Sequence, residues 1–204
     1  MSEIVNTLTF SETSKGWTSF WDYNPLFAFS LNGRFFTFND SSLYEHYVGS
    51  SHSNFYGTQY NAEVTLIFNE NPSISKNFKT INYEGSNGWE MESFESGESL
   101  PRRNGLASYE TKDTAKPIKS YDEGRFSSKG VEVRAGFKKK EGKFFSNLRN
   151  NGVIKREGEV LQGTQMSGIK GFFSTVKMKT DSTTDLGGFK QLFAASTEYV
   201  YSSQ

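Results

Sequence analysis

His46 and His52 are the only imidazoles in the chain, and with Glu45 and Asp40 nearby they are the residues from which a metal centre or proton relay would have to be built. A catalytic zinc ordinarily takes three protein ligands, and two histidines do not reach that number. We read one as a strand residue and the other as part of a polar loop. The complete absence of cysteine from 204 residues removes zinc–cysteine sites, disulfide scaffolds and thiol nucleophiles. Glu90, Glu92, Glu95 and Glu98 offer a second chemistry, because carboxylates two positions apart on a strand share a face and a glycosidase works with such a pair. The same spacing equally describes acidic residues on the wet side of a sheet. No Gly-x-Ser-x-Gly, phosphate loop or dinucleotide fingerprint is present, so acyl transfer and nucleotide chemistry lack their usual sequence support.

Two further groups of residues suit binding. Lys138, Lys139, Lys140 and Lys143, with Phe137, Phe144 and Phe145 interleaved, combine cations with rings in the manner of a single-stranded nucleic-acid surface; lysines also guard exposed strand edges. Trp17, Phe20, Trp21 and Tyr23 fit three roles: core, subunit interface, or a platform of rings that stack on sugars.

The elements that must position these residues are strands. Leu, Ile and Val number 27 against 32 aromatic residues, and a core made chiefly of rings favours sheets. Gly, Asn and Ser fall between short aromatic runs as turn formers do. Leu26–Leu31, Asn32-Gly33 and Arg34–Phe38 predict a hairpin with a type I′ turn, and Leu43–Val48 extends it to a three-stranded meander. Glu63–Phe68 and Asn77–Tyr83 flank the turn-rich 69–73. In Trp89–Phe94 a period of two places Trp89, Met91 and Ser93 on one face and two glutamates on the other. Val131–Phe137 leads through the lysines to Phe144–Leu148, a second hairpin with Glu141-Gly142 near its turn. Gly171–Lys179 and Glu198–Tyr201 complete the strands, and no repeat of 20 to 50 residues is evident.

Charge divides the chain. Residues 1–100 carry 4 basic and 12 acidic groups, 101–160 carry 15 and 8, and the remainder 4 and 3, giving zero net charge overall. Such bipolarity steers head-to-tail association or is neutralised inside the fold. Residues 97–129, rich in Gly, Ser, Lys and Arg, read as a long loop or arm whose Arg102, Arg103, Lys112, Lys116, Lys119 and Arg125 are candidate partner contacts. The expected organisation is an N-terminal β sub-unit over 1–96, the basic arm over 97–129, and a C-terminal hairpin sub-unit over 130–204. The fold class is all-β: twisted antiparallel sheets, sandwich-like or partial-propeller-like. No stretch approaches the ~20 apolar residues of a membrane span, and the first ten residues lack the pattern of a signal peptide. We therefore expect a soluble protein without a membrane span.

Several segments, in order, carry a likeness: Gly16-Trp17-Thr18-Ser19-Phe20, Phe35-Phe36-Thr37-Phe38, Leu43-Tyr44-Glu45-His46, Asn54-Phe55-Tyr56-Gly57, Leu66 to Pro72, Lys79 to Ser86, and Lys140 to Phe145. Together they resemble a block toward the C-terminus of large virion structural proteins of tailed bacteriophages, among them tail or muzzle components of crAss-like phages. The relatives are much longer, which implies a separately encoded version or a piece released by processing, and the 97–129 segment has no counterpart in them. The resemblance implies a structural part in the tail, muzzle or portal vertex, assembled in the bacterial host cytoplasm with copies of itself and other tail or portal-vertex proteins. It supplies no catalytic residue, metal or cofactor. The expected function is accordingly a virion brick and not an enzyme, with passing DNA contact at the lysine hairpin as a minor addition. Two alternatives stay open: a tail-tip module holding glycan on Trp17, Trp21 or Tyr23, and a depolymerase using the glutamates after Trp89.

Overall fold

The computed structural model describes residues 7–99, 110–120, 125–128, 131–134, 136–150 and 168–202, with side chains left undescribed at 97–99, 110–113, 125–128 and 131–134. All regular structure among them is β, and the chain divides into two compact units, residues 1–60 with 187–189, and 61–186 with 190–204.

In the first unit β1 (Thr7–Ser11) and β2 (Gly16–Trp21) form a hairpin, and β3 (Phe27–Leu31), β4 (Arg34–Asn39) and β5 (Ser42–His46) form the anticipated meander. Asn32 and Gly33 both have positive φ (51° and 73°), the requirement of a type I′ turn, which explains why these two residues join β3 to β4. A two-residue pair, β6 (Asn54–Phe55) with β7 (Thr58–Gln59), turns on Tyr56 and Gly57 in the same way. The unit is held by Tyr23, whose ring stacks on Phe55 at 4.4 Å and on His46 at 5.3 Å. Thr37, fully buried, bonds the His46 ring nitrogen at 2.7 Å and the Tyr56 hydroxyl at 2.9 Å.

The second unit is a sandwich. One sheet runs β11 (Glu110–Thr114), β10 (Trp89–Ser99), β17 (Phe173–Thr180), β8 (Glu63–Phe68). The other centres on β9 (Lys76–Gly85), with β14 (Lys138–Lys140) and β15 (Lys143–Asn147) to one side, β16 (Ile169–Gly171) on that same side, and β18 (Leu192–Tyr201) on the opposite one. Their inner faces meet in a core that includes Phe78, Ile81 and Tyr83 of β9, Met91 and Phe94 of β10, and Val176 and Met178 of β17. The Tyr83 ring lies parallel to Phe144 at 4.7 Å and edge-on to Phe137 at 4.9 Å, so aromatic contacts do the packing that aliphatic chains do elsewhere.

Two details of the sandwich depart from the sequence pattern. β8 and β9 flank the turn-rich joint but belong to different sheets, so 69–75 is a crossing between layers. Its conformation is tied by Lys76, fully buried, whose ammonium donates to the carbonyls of Asn71 (2.9 Å) and Ile74 (3.0 Å). In β10 the pairing with β17 shifts between Met91 and Ser93; this bulge at Glu92 turns Phe94, not Ser93, into the core beside Met91.

The span 97–129 is in part paired structure where an arm was expected. β10 continues to Ser99 and β11 returns along it. Ala115 and Ile118 are buried and bridge Asn150 and Met91, Lys119 bridges Gly136, and β12 (Arg125–Ser128) pairs with β13 (Val131–Arg134). Main-chain bonding needs no apolar period, which is why polar strands at the rim of a sheet read as loop. β13 also ends before the lysine hairpin, whose strands are β14 and β15 alone.

Candidate functional site

The aromatic segment of the first unit is split between two faces by one irregularity. Thr9 pairs with Ser19, but Phe10 pairs with Trp17, which leaves Thr18 as an extra residue in β2. Simple alternation would set Trp17 and Trp21 on one face. With the bulge, Trp17 and Phe20 point the same way, opposite Phe10 and Leu8, while Trp21 and Tyr23 turn into the unit. Trp21 packs edge-on against Phe55 at 5.3 Å and its indole donates to Thr9 Oγ1 at 2.6 Å. Tyr23 is 6% exposed, and burial, with lesser contributions from Tyr47 and Tyr56, pushes its phenol up to about 12. Tyr23 is thus buried and Trp21 half-buried within the unit, so of the four aromatic candidates Trp17 and Phe20 carry the exposed rings.

Trp17 and Phe20 are 65% and 75% exposed, and with Leu8 and Phe10 they form an apolar face on the hairpin; Phe10 meets Trp17 edge-on at 5.3 Å. The meander presents a second such face. Its outward residues are Phe27, Phe29, Leu31, Phe36, Phe38 and Leu43, with Phe29 stacked on Phe36 at 5.3 Å and Phe27 62% exposed. The face ends at Arg34, which grips both oxygens of Glu45 and lies over the Phe36 ring. The composition and turn pattern pointed to the meander but not to its outward rings, since Ala28, Phe35 and Tyr44 place apolar or aromatic groups on the other face as well. Contiguous exposed apolar patches in general mark protein or membrane contacts, ligand grooves or aggregation-prone faces.

The histidines are apart from any ligand set. His46 is stacked on Tyr23, bonded to Thr37, and held below its ordinary pKa by burial; His52 lies against Phe189 at 5.0 Å. Among the described residues no three His, Cys, Asp or Glu side chains converge on a metal position.

The glutamates of β10 form a charge ladder with β17 and its neighbours. Glu92 accepts from Lys177 and Lys179, each at 2.8 Å; Glu63 pairs with Lys177 at 2.9 Å; Glu90 pairs with Lys119 at 3.1 Å. Hydrogen bonds from Lys177 and Lys179 hold the Glu92 carboxyl down at about 2. A glycosidase's general acid needs its proton retained near neutrality, the reverse of this arrangement. The Glu98 side chain lies outside the described residues.

The lysine hairpin turns on Glu141 and Gly142, both at positive φ. Lys138, Lys139 and Lys140 are exposed, and Lys143 pairs with Glu84 at 2.6 Å. Of the three rings, Phe137 and Phe144 are buried core residues and Phe145 is half-buried, so most of the stacking surface is committed to the fold and the DNA-contact reading is left without support. Of the basic contacts expected in 97–129, Lys116 and Lys119 are exposed, with Lys119 on Glu90. Arg102 and Arg103 lie outside the described residues, as do the side chains of Lys112 and Arg125.

No helix among the described residues is long and apolar enough to cross a membrane. No curated protein matches the chain. A family model described as the Crassvirus muzzle protein C-terminal domain matches residues 50–151, half of the chain.

Proposed function

Because the chain belongs to the Crassvirus muzzle protein C-terminal domain family, a structural family of the phage tail, we propose that it is a non-enzymatic tile of the tail muzzle, assembled there by protein–protein contact through the outward rings of its first unit. The observation that carries this reading is the pair of apolar faces, Leu8, Phe10, Trp17 and Phe20 on the hairpin and Phe27 to Leu43 on the meander. Each exposed ring surrenders a large apolar area when a neighbour covers it, and large aromatics dominate the energetics of interfaces. The partners are copies of this chain and other proteins of the tail and portal vertex, and the place of work is the virion after assembly in the host cytoplasm. Lys116 and Lys119 sit in the basic stretch and are proposed as contacts secondary to the rings.

Mass spectrometry of purified virions tests the assignment: the chain should be present in a fixed ratio to other tail proteins. A W17S/F20S double variant, altered only at exposed positions, should keep the β-type circular dichroism of the wild type and be lost from particles. Absence of the wild-type chain from virions would refute the structural role. Incorporation of the double variant at wild-type level would remove the hairpin face from it.

A further inference from the structure

Among the described residues, strand β18 is joined to the sandwich along one side. β9 gives one edge to β15 and β16 and the other to β18, so that Tyr83 lies between Phe144 and Ala195. Among the described residues no strand pairs with the far edge of β18. A row of free N–H and C=O groups is a template for another extended chain, and proteins guard such edges with lysine or proline. The other end of this same sheet is guarded: β14 is Lys138-Lys139-Lys140, all exposed. β18 has ten residues without lysine, arginine or proline and carries one charge, Glu198. Phe193 and Val200, 71% and 52% exposed, stand bare toward its two ends.

The irregularities of β18 define the position of a partner. Its pairing with β9 shifts between Leu192 and Ala194 and again between Glu198 and Tyr199, leaving a regular stretch 194–198 with Ser196 at the midpoint. Two identical strands related by a twofold axis run antiparallel. Residues directly opposite one another must then point to the same face, so the axis passes through a residue position, not between two. Centred on Ser196, the pair uses the whole regular stretch and sets Ala195 against Thr197 of the second copy. It also sets Ala194 against Glu198 of the second copy, so the one charged side chain never faces its own image, which like-charge pairing would penalise.

We infer that β18 is a self-pairing edge, at which two copies of this chain join antiparallel about Ser196 and merge their β9-centred sheets into one. The contact is separate from the rings of the first unit and stands whether or not those rings dock.

The absence of cysteine makes a direct test available, since S196C carries the only thiol in the full chain. Opposed residues of an antiparallel pair have Cα atoms about 4.5–5.5 Å apart, inside the disulfide range. Under mild oxidation S196C should give a covalent dimer much faster than S182C, whose site is equally exposed but lies in a loop. In sedimentation, wild type should show a concentration-dependent dimer. S196K, which sets two lysines face to face, should weaken it about fivefold, and A194K, which faces Glu198, should tighten it. Equal, slow cross-linking of S196C and S182C would overturn the proposal. So would a wild type that stays monomeric, or equal shifts from S196K and A194K. Virion incorporation reads out the muzzle assignment separately.

Discussion

Glu92 is the residue whose replacement most cleanly separates a charge ladder from a reactive carboxyl. E92Q keeps the side-chain shape and removes the charge that Lys177 and Lys179 share at 2.8 Å. A carboxyl lowered from 4.5 to about 2 would, at about 1.36 kcal/mol per pH unit over a difference of about 2.5, carry about 3.4 kcal/mol at full linkage. The side chain is 36% exposed, however, and solvent-screened bridges contribute ~0.2–1 kcal/mol each; we expect a loss of about 1 kcal/mol for the two together. The sign follows from the direction of the shift. A depressed carboxyl contributes stability that is fully present above its ordinary value of 4.5 and is lost as pH falls toward about 2. Urea denaturation at pH 7 should therefore show E92Q less stable by about 1 kcal/mol at unchanged slope, and the gap should close between pH 4.5 and 2. Equal stabilities at pH 7, or a gap that persists at pH 2, would refute the ladder.

The remaining expectations concern the two interiors. F94A removes a fully buried ring 5.6 Å from Phe78 and should cost about 3–5 kcal/mol, whereas F20A on the exposed face should change stability by less than about 0.5 kcal/mol; denaturation midpoints compare them directly. Tyr23 should ionise at about 12 in an ultraviolet titration, and Y23F should delete that step. Because the neutral phenol is favoured in the folded state, the stability it lends is full below pH 10 and falls as pH rises through about 12.

Local turn chemistry made part of this architecture legible. Asn32-Gly33 and Glu141-Gly142 both take positive φ, so the first hairpin and the turn of the second could be placed from two residues each, while the first strand of the second was expected too early in the chain, at 131–137 instead of 138–140. The meander followed from its turns, and the all-β class from a ring-rich, glycine-punctuated composition. What escaped was set by single-residue insertions. Thr18 in β2 and Glu92 in β10 each add one residue, and each reverses the face of everything beyond it: Phe20 joins Trp17 outside while Trp21 goes inside, and Phe94 takes the core place expected for Ser93. A bulge leaves no compositional mark that separates it from an ordinary strand position. Pairing between distant segments was equally hidden, since nothing in Glu63–Phe68 announces β17 as its neighbour. The same holds for Ala115 and Ile118, two apolar residues in a polar stretch that nevertheless reach the core.

The order in which the sandwich strands leave the ribosome has a kinetic consequence. β8 and β10 both wait for β17, and β9 waits for β18, so neither layer can close until about the last thirty residues have been synthesised. Closing loops that long before any contact rewards them slows folding, and the half-built sheets must meanwhile avoid wrong partners. A segment cut to 50–151 would lack the strands that complete both layers, and its folding competence would depend on residues supplied from elsewhere in the chain.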